Sequence, residues 1–398
     1  MAPPRGTVAG LAALGFGLGL WALAPAQAPP AEQAPPPGPV EVARVELAAV
    51  GDVMMHLDVK NAGARAKGGL GELWAGVAPL FRRADIAFAN LETPVAPVSG
   101  GPGAPFQFNA PAELPAALKG AGIAVVSVAN NHAFDQGHKG LAETLERVEA
   151  AGLVAAGAGR TRAEAEAPRI LEARGLKVAF LACTDVFNAN LNGKADRPWV
   201  AALDPEAVAV AVREARRRAD AVVVSVHWGA EYLHAPLERQ RRAARILAEA
   251  GADVILGHHP HVLQPVETIA NGDRRTLVAY SLGNFISNQD RMYQPGIQAV
   301  GAGDSRDGVL FACRLVKVRQ ADGTERVHAE MAGCEPLWTL NNWRDALAGR
   351  APRELRVVAV DPALREAEAD LERLLAETPR NGPRVAARQE AVKVLRLR

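Results

Sequence analysis

Short apolar runs recur along this chain, and polar clusters or amphipathic stretches follow them. Val45–Val50, Ile86–Ala89 and Ile123–Val128 read as strands, because runs this short suit a buried strand better than a helix. Lys139–Ala151 instead spaces Leu141, Leu145 and Val148 at helical intervals, with Gly152 as the stop. Val178–Ala182 is a further strand, and Asp204-Pro205 opens a helix that runs through Arg218. Ala221–Val226 and Asp253–Leu256 are strands separated by a helix around Leu237–Ala250. Such strand–helix alternation predicts an α/β protein with a mainly parallel, helix-covered core sheet.

The later part changes character. Val262–Ile269 and Thr276–Tyr280 flank an Asn271-Gly272 turn and predict a hairpin. Val309–Val318 and Arg326–Met331 flank Asp322-Gly323 and predict another. A last helix is expected from Pro362 to Glu377, followed by a basic tail.

The N-terminus is of another kind. Arg5 is the only charge before an apolar run from Val8 to Leu23, and small residues surround Ala26 and Ala28. That order predicts a signal peptide over residues 1–28 and an exported protein, periplasmic or extracellular. The run falls short of the roughly 20 apolar residues that span a bilayer, so an uncleaved anchor is the lesser alternative. Residues 29–40 form a Pro-rich linker. One domain is expected over 41–335, with a C-terminal extension over 336–398.

Bulk composition narrows the partner. Lys plus Arg number 45 against 44 Asp plus Glu, with no basic stripe, which argues against a nucleic-acid partner. Hydrophobic residues make up 49% of the 398 positions, enough for a large core. The three cysteines are no disulfide framework. Either Cys313 pairs with Cys334, or Cys183, Cys313 and Cys334 are all small buried hydrophobes.

Polar residues gather where the expected strands end. Gly51-Asp52-Val53-Met54-Met55-His56 follows the first strand, Asn90-Leu91-Glu92 the second, and Asn130-Asn131-His132-Ala133-Phe134-Asp135 the third. His227-Trp228-Gly229-Ala230-Glu231-Tyr232 and Gly257-His258-His259-Pro260-His261 follow two more. Parallel sheets bind ligands beyond the carboxyl ends of their strands. Taken singly, an Asp after Gly is usually a turn, and Asn130-Asn131 can be turn chemistry. Together the residues weigh more, since six of the nine histidines fall in these segments. Imidazoles with carboxylate and amide oxygens suit one or two divalent transition metals: Mn, Fe or Zn. His259 and His261 reach one centre if Pro260 holds an extended turn. His132, beside Asn131, is placed as a general acid for a leaving group. Glu231 fits a base, a substrate clamp or a helix cap. His56 reads as an ordinary solvent-facing histidine.

With Tyr280-Ser281-Leu282-Gly283-Asn284-Phe285 added, these motifs resemble, in order, the signature of CapA-type poly-γ-glutamate synthesis proteins over residues 46–286. That family is similar to the calcineurin-like metallophosphatases. The resemblance implies a four-layer α/β/β/α sandwich of metallophosphatase type with a strand-rich and helical C-terminal extension. It implies Asp52, Glu92, Asn131, His227, His259 and His261 as metal ligands, with His132 as the acid. Three departures stand out: Met54 where a ligand histidine is usual, Glu92 where an aspartate bridges two metals, and Ala133 where an acidic residue is usual. Asp135 can serve in place of the last. For Gly283-Asn284 a strand-to-turn transition competes evenly with a site role.

The expected function is a metal-dependent step on poly-γ-glutamate or its assembly intermediates, by hydrolysis or transfer. The alternatives are a non-catalytic accessory of a capsule-synthesis complex and an exported metallophosphodiesterase. No Gly-x-x-x-x-Gly-Lys-Ser/Thr run is present to cradle a nucleotide. Amide-bond formation is therefore expected of a partner, a membrane-bound synthesis or ligase subunit.

Overall fold

The computed structural model describes residues 38–293 and 303–361. The expected signal peptide, most of the Pro-rich linker and the expected last helix lie outside the described residues. The described strands, in chain order, begin with β1 (Val40–Val53), β2 (Ile86–Leu91), β3 (Val125–Ser127), β4 (Val154–Ala156) and β5 (Ala158–Gly159). Next come β6 (Arg169–Ala173), β7 (Leu176–Thr184), β8 (Trp199–Val200), β9 (Ala221–His227), β10 (Val254–His258) and β11 (Leu263–Asn271). The series ends with β12 (Arg274–Leu282), β13 (Asn284–Ile286), β14 (Asp307–Arg319), β15 (Glu325–Asn341) and β16 (Leu355–Ala359).

These strands build two large sheets where the chain pattern predicted one. The first has the order β16-β15-β14-β1-β2-β3-β4, with β13 also pairing β1. Its β1–β4 half is parallel and its β14–β16 half antiparallel. The second has the order β11-β12-β10-β9-β7-β6, parallel through its centre and antiparallel at both edges. Strand–helix alternation accounts for both parallel portions, but it does not say that they belong to separate sheets. The β11–β12 and β14–β15 hairpins close at the expected Gly272 and Gly323 turns, both with positive φ. They extend the two sheets. The boundary expected at residues 335/336 falls inside β15, and β16 pairs with the end of that strand.

A period of two along the central strands explains the layering. In β9, Val223 faces one core while Val222, Val224 and Val226 face another. In β10, Val254 and Leu256 oppose Ile255 in the same way, and in β7 Val178 and Phe180 oppose Ala179 and Leu181. The first core lies between the sheets and continues through the first sheet to Trp74, Leu118, Leu141 and Leu145 on its helical cover. The second packs helices Pro205–Arg216 and Glu238–Ala250 on the outer face of the second sheet. The Asp204 side chain caps the first of these helices, and at the start of the second the Gln240 side chain accepts the Leu237 N–H at 2.8 Å. The result is the four-layer α/β/β/α sandwich. Strands buried on both faces need apolar residues at every position, which is why their runs looked continuous.

All three cysteines are free. Cys183 and Cys313 are buried, whereas Cys334 is exposed. Cys334 sits across from Phe311 in the β14–β15 ladder, with Cys313 opposite Met331, so strand register keeps the two thiols apart.

The carboxyl ends of β1, β2, β3, β9 and β10 meet at one end of the sandwich, and one contact there is unusually close. A Cβ at Gly51 would lie 1.8 Å from the Gly283 carbonyl oxygen, to which Asp52 donates its N–H at 3.1 Å. Gly51→Ala is expected to cost on the order of 3 kcal/mol, by strand displacement at a backbone contact that no rotamer change relieves. Gly193→Ala, where the nearest atom to the new Cβ is 3.8 Å away, serves as control. Urea unfolding midpoints of the two variants check this: equal midpoints would refute it.

Candidate metal centre

The site begins with Asp52, the penultimate residue of β1, which is fully buried. One carboxylate oxygen accepts from the Asn90 amide at 2.8 Å and stands 3.5 Å from His258 Nδ1. The other faces His261 Nδ1 at 3.0 Å and the His259 N–H at 3.4 Å. Glu92, just beyond β2, is likewise fully buried. Its Oε2 takes the Asn90 amide at 3.3 Å, while Oε1 stands 3.7 Å from His227 Nε2 and 3.9 Å from His261 Nε2. His227, the last residue of β9, meets Asn131 Oδ1 at 2.8 Å through Nε2. The His259 ring lies 4.9 Å from that of His227 and 5.9 Å from that of His261.

Two groups of side chains are thereby arranged to hold a metal ion. One is Asp52, Glu92 and His227, and the other is Glu92, His259 and His261. Glu92 belongs to both. The chemistry of the cavity fits a cation. Two carboxylates withdrawn from water, with no Lys or Arg paired to them among the described residues, are costly to bury. Glu92 Oε1 and His259 Nδ1 have no hydrogen-bond partner, which is uncommon for buried polar atoms.

Protonation without a cation shows the same strain. Burial and then the charge of Asp52 push the Glu92 carboxyl well above the ordinary glutamate range. Burial also works to raise Asp52, but hydrogen bonds and charge from His258 and His261 outweigh it and hold that carboxyl well below its usual value. Neighbouring carboxylates whose values split in this way share one proton between them. Burial and then the charge of His259 drive His227 well below the usual imidazole range. Burial and then His261 lower His259 to about 4. Both rings are therefore neutral at physiological pH, with lone pairs ready for a metal.

The expected acid lies beside this centre. His132 Nδ1 is 2.7 Å from Asp135 Oδ2, which also accepts the Phe108 N–H at 2.6 Å. Asp135 thus pairs with His132, a contact the Ala133 side chain cannot make. The Phe108 ring packs 4.4 Å from His132. Asn130 is turn chemistry: its amide donates to the Leu91 carbonyl at 2.8 Å, and its oxygen accepts the His132 N–H.

Three expectations differ from the structure. Pro260 does not hold an extended turn, because His259 and His261 have φ of 95° and 59°. The Tyr232 N–H binds the Pro260 carbonyl at 2.8 Å, and this left-handed course aims both rings at the carboxylates. Glu231 is exposed on the loop after β9 and caps no described helix, since the next one begins at Glu238. His56 is half-buried, its ring edge-on to Phe108 at 4.9 Å and its Nδ1 accepting the Asn288 N–H. Burial and then His261 lower it to about 4, so it is not a solvent-facing histidine.

Four residues join the site that were not among the expected ligands or acid–base groups. Asn90 bridges the two carboxylates, and its spacing two before Glu92 on a strand was a usable signal, since both point to one face. Asn284 Oδ1 lies 3.1 Å from His261 Nδ1, which gives that motif a site role beyond a strand-to-turn transition. His258 backs Asp52 with neither ring nitrogen otherwise engaged. Asn188, beyond β7, touches both Asn131 and His132, and nothing in its loop sequence marked it.

The family described as "Bacterial capsule synthesis protein PGA_cap" matches residues 46–289, the segment that carries every residue of the metal groups. The chain belongs to that family. It is 37% identical over 243 residues to the PGA biosynthesis protein CapA of Bacillus subtilis (strain 168), covering 60% of this chain and 62% of that one. Identity to the capsule biosynthesis protein CapA of Bacillus anthracis is 33% over 254 residues, covering 62% and 60%. A probable polyglutamine synthesis accessory protein of Mycobacterium tuberculosis (strain CDC 1551 / Oshkosh) is 28% identical over 177 residues, covering 42% and 46%. The PGA_cap member thus spans about three-fifths of the length of the two CapA relatives.

Because Glu92 serves both groups, Glu92→Gln is expected to lower metal content at both, whereas His259→Ala spares the Asp52–His227 group. Elemental analysis after reconstitution with manganese or zinc checks this, and equal metal in wild type and Glu92→Gln would refute it. Glu92 enters protonated while His227 and His259 enter neutral, so binding releases protons and apparent affinity rises with pH. Titration calorimetry across pH should show that slope, flattened in Glu92→Gln.

Proposed function

We propose that this PGA_cap protein acts outside the cytoplasm as a metal-dependent hydrolase or transferase on poly-γ-glutamate or its assembly intermediates. The observation that carries the reading is the fully buried Glu92 shared by two metal groups, with the His132–Asp135 pair beside them. The name of the Bacillus subtilis relative, a PGA biosynthesis protein, and the capsule named for the Bacillus anthracis relative support the choice of polymer. The signal-like segment 1–28 supports export, and the capsule context supports membrane-bound synthesis or ligase subunits as partners.

Asp52, Glu92, Asn131, His227, His259 and His261 would hold one or two ions, and their nitrogen and oxygen donors suit Mn, Fe or Zn. A bound ion would polarise a carbonyl or phosphoryl oxygen and lower the pKa of a water at the site. The chain's own part is positional and acid–base. Asp135 accepts from His132 Nδ1, which fixes the tautomer and turns Nε2 to deliver a proton to a leaving nitrogen or oxygen. Phe108 closes one side of that ring, and its N–H restrains Asp135. Asn90 and Asn284 hold Asp52, Glu92 and His261 in place before any ligand arrives.

A metal-loaded wild-type sample incubated with preformed poly-γ-glutamate is expected to shorten it or transfer its ends, and to leave a generic phosphodiester intact. His132→Ala is expected to keep metal content and melting temperature and to lose about a hundredfold in rate or more. Polymer length by gel and size-exclusion chromatography is the readout. Undiminished activity of His132→Ala removes the acid role. Metal-loaded wild type that leaves the polymer unchanged favours the accessory reading, and rapid phosphodiester cleavage favours the phosphodiesterase.

A further inference from the structure

Asn131 and His132 sit on the loop beyond β3 of the first sheet, and Asn188 sits beyond β7 of the second. The two loops are joined through this one asparagine. Its backbone N–H donates to the Asn131 carbonyl at 3.2 Å, and its side-chain oxygen accepts from Asn131 Nδ2 at 3.2 Å. A carboxamide has two ends of nearly equal size, yet only the oxygen can face a cation. With Nδ2 committed to Asn188, the Asn131 oxygen is the end that meets His227 Nε2 at 2.8 Å, on the side of the metal groups. Turning Asn131 over would set its oxygen against that of Asn188 and its N–H groups against the metal groups.

The other end of Asn188 bears on the acid. Its Nδ2 lies 3.3 Å from His132 Nδ1 and 3.4 Å from Nε2. Near-equal distances place the amide against the ring and not at a single lone pair. Nδ1 remains with Asp135 at 2.7 Å, and Phe108 packs on the same ring. We infer that Asn188 is a positioning residue that selects the oxygen end of Asn131 for the metal and steadies the His132 ring beside it. The inference rests on the metal-dependent reading above and adds to it a residue contributed by the opposite sheet.

The test compares wild type, Asn188→Leu and Asn188→Asp as full-length chains. Leucine keeps the volume and removes the acceptor, while aspartate keeps an oxygen for Asn131 Nδ2. With manganous ion as probe in titration calorimetry, Asn188→Leu is expected to bind tenfold more weakly or worse, the usual effect of losing a residue that orients a ligand. Asn188→Asp is expected to stay within a few-fold of wild type. Wild-type affinity in Asn188→Leu, or equal losses in both variants, would overturn the role. A second measurement on metal-free protein follows the Asn131 side-chain amide by NMR, assigned by its disappearance in Asn131→Ala. Its protons should exchange with water faster in Asn188→Leu than in wild type, and equal exchange overturns the proposal. Wild type that binds no manganese sinks the metal-dependent reading instead, and the NMR result alone then decides the place of Asn188.

Discussion

Asp52 and Glu92 lie within reach of one asparagine amide, both wholly removed from water. Like charges placed so close in a low-dielectric interior repel strongly, and among the described residues no lysine or arginine is paired with either one. Something else must balance them. In the metal-free protein that task falls to a proton on Glu92 and to the donors of Asn90, His258 and His261 around Asp52. A cation would be the more complete solution, since the unpartnered Glu92 oxygen and His259 nitrogen are donor atoms it could take. The rest of the architecture can be understood as the scaffold that keeps this unfavourable pairing in place.

That scaffold works because two sheets present their carboxyl ends to the same space. β1 and β2 supply the carboxylates, while β9 and β10 lead into the imidazoles. Strand registry sets their spacing: Asp52 pairs with Asn90 and with Asn284, and His227 pairs with His258. Gly51 permits the close backbone approach at the start of this arrangement. The left-handed backbone at His259 and His261 is local strain stored at the site, over-determined by the Tyr232–Pro260 bond and the Asp52 carboxylate.

Family membership and geometry bear on different levels. The PGA_cap family sets a capsule-polymer context, and one scaffold can host many reactions. The geometry speaks to chemistry: candidate ligands that are buried, the His132–Asp135 pair alongside, and the Asn90 and Asn284 amides set against Asp52, Glu92 and His261. Asn90 donates to both Asp52 and Glu92, so a change in one of these residues reaches the other through that shared donor.

Much of this was legible in the chain because local physics dictates it. Apolar runs with a period of two, helix starts at Asp204-Pro205 and hairpin turns at Asn271-Gly272 and Asp322-Gly323 depend on near neighbours, and so appear in sequence. Polar residues at strand ends depend on the same rule, which is why Asp52, Glu92, Asn131, His132, His227, His259 and His261 stood out together. The alternation of strands and helices could not by itself divide the strands between two sheets, because pairing partners lie far apart in the chain and alternation is the same either way; the family resemblance implied that division and the tertiary structure shows it. Tertiary structure alone made Glu92 common to both metal groups, buried His56, and sent Glu231 outward, since these outcomes depend on where loops meet and not on what they contain. Asn188 is the clearest case: its neighbours in sequence say nothing of it, and its role exists only because the loop beyond β7 crosses to the opposite sheet and meets Asn131.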